Sequence, residues 1–190
     1  MYYVLSVSDD YPDNYWFEYD HVNSPDYLSF QSGSVIKEVG AKPVFILNKK
    51  ISANGLIGFD FLVSDGGYFI SSKFAELIRN IAQNDVQLIE AEVYLNKTRI
   101  EEYYIANIKN LVSCVDMGNS TYKPLIKKDP EGPKKFIRYE FIENSLKSHK
   151  IVRCKESPRT IVVSEDFKQA CISHGIKGVD FLRNGVREYE

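Results

Sequence analysis

Residues 69–81 read Phe-Ile-Ser-Ser-Lys-Phe-Ala-Glu-Leu-Ile-Arg-Asn-Ile, and residues 161–167 read Ile-Val-Val-Ser-Glu-Asp-Phe. In both stretches a run of β-favouring residues stops at serine and a helical pattern takes over. Phe74, Leu77, Ile78 and Ile81 follow the i, i+3, i+4, i+7 spacing of a helix with one apolar face. Ser71 or Ser72 stands where a side-chain oxygen accepts a bond from an otherwise unpaired first-turn N–H. Ser164 opens the second unit in the same way, with Glu165 and Asp166 favouring the positive end of the helix. Phe167, Ala170, Cys171 and His174 share a face there, and Gly175 suits a left-handed position just past the helix end. Strand–cap–helix units are common, so the two Ser-x-x-Phe segments leave both a duplication and a coincidence open.

Around these units the pattern is mostly extended. Tyr2–Val7, Val86–Leu95, Phe136–Ile142, Lys150–Cys154, Thr160–Val163 and Ile176–Leu182 read as strands. Ala41–Ile46 is a short extended piece that Pro43 confines to an edge or a strand start. Ile57–Val63 and Tyr68–Ile70 flank a turn at Asp65-Gly66-Gly67, and Gly55 and Gly58 read as turn glycines. Tyr103–Val115 fits helical spacing and strand alternation about equally. Met117–Lys135, with three prolines and two glycines, reads as a loop. Asp9–Gly33 is too polar for a core element and too aromatic for a linker. The expected fold is α+β, with a mixed, mostly antiparallel sheet and about three helices packed on it, in a single domain over residues 1–190.

Composition excludes several classes. The 190 residues are 44% hydrophobic and carry 24 Lys and Arg against 26 Asp and Glu. A net charge of −2 argues against direct nucleic-acid binding. No apolar run reaches membrane-spanning length and the N-terminus lacks a basic leader, so neither a membrane partner nor secretion is expected. Cys114, Cys154 and Cys171 are odd in number and widely spaced, which suits reduced thiols in the cytoplasm.

No chemical motif demands an enzyme. His21, His149 and His174 have no second ligand at metal-binding spacing, and the glycine patterns of phosphate and dinucleotide loops are absent. Cys171 and His174 lie three apart without an orienting third group, and read as a buried cysteine beside a rim histidine. Asp9, Asp10 and Asp13 lack the spacing of a calcium loop. The expectation is no catalytic residue, no metal and no cofactor.

Charge is segregated. The first 36 residues hold Asp9, Asp10, Asp13, Glu18, Asp20 and Asp26 and no Lys or Arg, so the remaining chain is about +4. Carboxylates interleaved with Tyr15 and Trp16 are the composition of a protein-binding surface, where aromatics give rigid contact area and charge steers a basic partner. The competing reading places these aromatics in the core, with the aspartates solvating loops. Lys134–Arg159 carries eight basic residues, Arg153 and Arg159 among them, interleaved with Glu140, Glu143 and Glu156, which reads as a mixed solvated face.

The C-terminal third carries a resemblance. Ile151-Val152-Arg153-Cys154-Lys155-Glu156-Ser157-Pro158, then Ile161 to Lys168, then Gly175-Ile176-Lys177-Gly178-Val179-Asp180-Phe181 resemble a bacterial immunity-protein family. It is the eleventh family of the polymorphic-toxin immunity classification, earlier known as a domain of unknown function in myxobacterial and other bacterial proteins. Ile70–Phe74, Val86–Leu88 and Tyr103–Asn107 are similar to its middle section, so the likeness covers roughly 68–182 and leaves the acidic, aromatic 1–67 as a divergent part. The resemblance implies a cytoplasmic antidote that binds and occludes a cognate protein toxin without catalysis. It supplies no site residues. The contact residues expected from the charge pattern are Asp9, Asp10, Asp13, Tyr15, Trp16 and Glu18; a homodimer stays open. The alternative is a small-ligand-binding or enzymatic domain whose site carries no known motif.

Overall fold

The computed structural model describes residues 1–130 and 132–186, with Ile57 and Glu101 described by their backbone alone. In chain order come β1 (Tyr2–Val7), β2 (Trp16–Tyr19), β3 (Val44–Leu47), α1 (Ala53–Ile57), β4 (Phe61–Ser64) and β5 (Gly67–Ser71). Then follow α2 (Ser72–Ile81), β6 (Val86–Leu95), β7 (Thr98–Ile108), β8 (Leu111–Val112), β9 (Thr121–Pro124) and β10 (Lys134–Arg138). The chain continues with β11 (Ile151–Cys154), β12 (Ser157–Ser164), α3 (Glu165–Ser173) and β13 (Val179–Leu182).

The class is α+β, and strand pairing is mixed and mostly antiparallel, but the strands divide between two main sheets. β2-β3-β6-β7-β5-β4 close into a barrel, and β13-β1-β12-β11-β8 form an open sheet. Alternation along the strands decides what each surface faces. Phe17, Phe45, Leu62, Phe69 and Val93 point into the barrel and are buried there. A barrel of this size is filled by side chains and has no bore. Phe61 and Ile70 point out of it, toward Leu5, Ile151 and Ile161 of the open sheet and toward α2 and α3. The opposite face of the open sheet (Val152, Cys154, Val162) packs under Cys114, Val115, Tyr139 and Leu146.

Both helices start as their residues dictate. Ser71 and Ser164 are the N-caps, and their Oγ atoms accept from the Phe74 and Phe167 N–H at 3.3 and 3.2 Å. Gly175 adopts φ +58 after α3. Gly178 lies so close to β4 that a Cβ there would meet the Phe61 carbonyl at 2.6 Å. The spaced glycines of the C-terminal motif therefore bring that segment against the barrel.

Several local expectations change. Asp9–Gly33 does supply core: β2 lies within it, and Phe17, Tyr19 and Phe30 are buried. Two outward polar residues, Glu18 and Asp20, hide the strand pattern by sharing it with Trp16, which is also outward. Gly55 lies inside α1 and Gly58 is its C-cap, so neither is a simple turn glycine. Tyr103–Ile108 is strand, because its alternate residues fill barrel and interlayer core together. The 117–135 segment contains β9 and the start of β10, a two-stranded hairpin. Pro43 immediately precedes β3, which has neighbours on both sides; it is a strand start and not an edge.

Candidate functional site

Of the expected contact residues, Trp16 and Glu18 lie on β2, Asp13 and Tyr15 in the turn that leads into it, and Asp9 and Asp10 in the turn after β1. Asp13-Asn14-Tyr15 forms a short 3-10 turn that runs directly into β2. Tyr11 fixes this approach: its hydroxyl donates to the Tyr15 carbonyl at 2.8 Å and accepts from the Val63 N–H at 3.2 Å. The Tyr11, Tyr15 and Phe59 rings meet edge-on, with centroids 5.2 to 6.2 Å apart. Tyr15 is accordingly half-buried and supports the turn from beneath. Asp9, Asp10, Asp13, Trp16 and Glu18 are exposed. Trp16 is 55% exposed, and Glu18 follows it on the outward side of β2.

Asp20 and Asp26 have local duties. Asp20 accepts from the Val22 and Asn23 N–H groups and from the Asn23 amide, which hold its carboxyl below the usual range. Asp26 caps the 3-10 turn at Tyr27–Gln31 by accepting from the Leu28 N–H.

The candidate reactive groups do not assemble into a catalytic set among the described residues. Cys171 is buried in the interlayer core, where burial pushes its thiol up to about 12. His174 is exposed and caps α3 through the Ala170 carbonyl at 2.8 Å. His149 meets buried Asp85 at 2.6 Å, and Asp85 also accepts from the Asn110 amide and the Lys150 N–H. No hydroxyl or thiol bonds to His149 among the described residues, so the cluster acts as a staple between the α2–β6 turn and β11. Asp60 is a second staple. It is 5% exposed and accepts from Ser71 Oγ (2.7 Å), Lys73 Nζ (3.2 Å) and the Lys177 N–H (2.9 Å).

Sequence spacing concealed one set of metal-type ligands. Cys114, Cys154 and Glu156 bring their donor atoms within 4.8 Å of one another. The Cys154 thiol donates to Glu156 at 3.2 Å, while the neighbouring Cys114 and burial raise its pKa. As it stands the Cys154 thiol is hydrogen-bonded to the Glu156 carboxylate, and a cation would have to displace its proton.

Sequence reasoning also misplaced Arg153. It belongs to no solvated face: it is 7% exposed on β11, where alternation points it between the two layers. A cavity of about 450 Å³ opens there, with Trp16 on its lining. The only sequence signal was its place in the alternation Ile151-x-Arg153, which puts a cation on an apolar row.

Together the layers define a two-sheet α+β fold, with exposed acidic residues and Trp16 before and on β2, and with core glycines and caps where the sequence motifs lie. The model of the Imm11 immunity protein family matches residues 5–185, and the chain belongs to that family. A comparison with curated proteins finds no match. The family match begins at residue 5, so the acidic N-terminal part lies inside the family's span. Membership suggests a toxin-neutralising, non-enzymatic protein. No helix among the described residues is long and apolar enough to cross a membrane.

Proposed function

We propose that this protein binds one cognate bacterial toxin stoichiometrically and occludes it without chemistry, acting in the cytoplasm of the cell that makes it, as part of a polymorphic-toxin system. The chain is taken to work as a single domain. The observation that carries the reading is membership of the immunity family over residues 5–185. The surface offered to the toxin is the ridge of Asp9, Asp10, Asp13, Trp16 and Glu18, with Tyr15 supporting it. Its support is physical: an exposed tryptophan beside exposed carboxylates gives a desolvatable anchor and a field that attracts a basic partner.

The test is co-expression with the product of the neighbouring gene, scored by growth and by co-purification. Rescue with a stable complex is expected. Trp16→Ala should weaken that complex by roughly tenfold or more if it is a hot spot. Asp9→Asn, Asp10→Asn, Asp13→Asn and Glu18→Gln together should slow association, most visibly at low salt. A folded five-site variant that binds the toxin with native kinetics would remove the ridge from the proposal. A harmless neighbour that forms no complex would remove the antidote reading itself.

A further inference from the structure

The interlayer cavity holds an unusual cation. Arg153 donates from Nη1 to the Pro158 carbonyl at 2.9 Å and from Nη2 to the Phe30 carbonyl at 2.8 Å. Its Nε–H is buried and has no acceptor among the described residues. No carboxylate among the described residues pairs with it either. Asp65 also lines the cavity, but its carboxylate is held by the Tyr19 N–H at 2.7 Å and by His21 Nε2 at 3.1 Å. Tyr68 is no counter-ion, since burial raises its phenol above the ordinary range. Burial lowers the Arg153 pKa to about 10, which still leaves the guanidinium charged at neutral pH.

An unpaired buried charge is costly, and a fixed guanidinium offers a planar fork that matches a carboxylate. Two of its five N–H groups are used by the carbonyls and the buried Nε–H is closed in, which leaves one hydrogen on each Nη for an incoming carboxylate. The carbonyls hold the fork in place, so little ordering remains when an anion arrives. Beyond it the walls are apolar: Leu5, Ile151 and Ile161 from the open sheet, Phe61 and Ile70 from the barrel, and Phe74 from α2. Trp16, Asp65, Tyr68 and Arg159 are the exposed lining residues and mark the mouth. The volume falls in the range of small-molecule sites, roughly 300–1,000 Å³.

We propose that this cavity binds a small amphipathic monocarboxylate, with its carboxylate on the Arg153 fork and its hydrocarbon or aryl body against the apolar walls. Arg153 is the one buried cation of the lining and matches one buried negative charge, while Arg159 and Asp65, of opposite sign, both stand at the exposed mouth. The site needs no toxin. Its binding is a property of the isolated protein, and its failure would leave the antidote reading untouched.

Trp16 is the sole tryptophan and lines the cavity, so its emission reports occupancy directly. Octanoate and phenylpropionate, each below its aggregation concentration, are titrated against octanol, octylamine and acetate. Saturable change with both carboxylates, and binding weaker by roughly tenfold or more for the alcohol, the amine and acetate, is expected. Arg153→Met should weaken octanoate by roughly ten- to a hundredfold while retaining a cooperative melt. Equal binding of octanoate and octanol, competition by acetate as effective as by octanoate, or undiminished octanoate binding by Arg153→Met would each overturn the proposal. The ligand series needs no variant, so it decides the matter even if Arg153→Met does not fold.

Discussion

The barrel and the open sheet are built round the same local device. In the barrel, β5 ends in Ser71, α2 follows, and β6 returns parallel to β5 with β7 lying antiparallel between them. In the open sheet, β12 ends in Ser164, α3 follows, and β13 returns parallel to β12 with β1 lying antiparallel between them. Both serines cap the N–H of the phenylalanine three residues on, and the two phenylalanine rings approach to 6.3 Å. The differences are instructive. The barrel unit closes on itself and buries its own aromatic core; the open-sheet unit must cover two faces with other segments. Ser71 also donates to Asp60, whereas among the described residues no second bond to Ser164 Oγ accompanies its cap. The Ser71 cap is thus tied to a buried carboxylate, whereas the α3 unit is tied through the residues after its cap, Glu165 to Tyr3 and Asp166 to Lys150.

The largest effects should come where the modules meet. Phe74 and Phe167 are essentially fully buried in one shared core, so Phe74→Ala and Phe167→Ala should each cost about 3–5 kcal/mol. Because the core is shared, either change should lower one cooperative transition, seen identically by Trp16 emission and by far-ultraviolet dichroism. Two separated transitions, with Phe167→Ala moving only one, would break the single-domain proposal. Their double mutant should be non-additive, as expected for rings in reach of each other.

Next come the staples. Asp60 joins the start of β4 to Lys177, and Asp85 joins the α2–β6 turn to Lys150. Asp60→Ala strands a backbone N–H and a serine hydroxyl in a buried site and should cost about 3 kcal/mol by chemical denaturation. Asp85→Ala should cost a comparable amount. A loss below about 1 kcal/mol in both would mean that the apolar interlayer alone joins the two regions.

Legibility followed the same divide. Periodicity alone placed Val86–Leu95 and the two capped helices, since their cores are local and their caps are encoded beside them. It missed β2, where buried Phe17 and Tyr19 alternate with exposed Trp16 and Glu18 in a four-residue strand flanked by aspartates. Barrel closure was also hidden: β2–β4 and β3–β6 pair in parallel, and no hairpin turn announces such pairing. The exposed ridge was readable as charge and aromatics. Arg153 was not, because its burial depends on Phe30, over a hundred residues away in sequence, supplying a carbonyl.

Alkaline pH should separate the regions further. Burial pushes the phenols of Tyr11, Tyr19 and Tyr103 up to about 12, and all three belong to or abut the barrel. Unfolded phenols ionise near 10, so between pH 10 and 12 the native state keeps protons that the unfolded chain has lost. Their contribution is therefore fully present below pH 10 and declines as pH rises toward 12. Cys171 adds the same sign from a lower onset, near the thiol's ordinary value of 9. Tyr103→Phe should leave stability at pH 7 nearly unchanged and flatten the alkaline fall, as read from denaturation midpoints across that range. An unaltered slope would mean that Tyr103 ionises freely in the folded protein.

The finest contrast lies in the two serines. Ser164→Ala removes a cap and should cost about 1 kcal/mol. Ser71→Ala removes a cap and also the hydrogen bond to the Asp60 carboxylate, so its cost should be about 2 kcal/mol. The excess belongs to the pair and not to the cap. In an Asp60→Asn background the amide can still accept from the hydroxyl, but the charge assistance is gone, and the Ser71→Ala cost should fall toward that of Ser164→Ala. A cycle of Ser71→Ala with Asp60→Asn measures that coupling, while Ser164→Ala with Asp60→Asn, which share no bond, should be additive within about 0.5 kcal/mol. Equal coupling in both cycles would mean that Asp60 acts on the whole interlayer, and the asymmetry between the two modules would then lie in their packing and not in this bond.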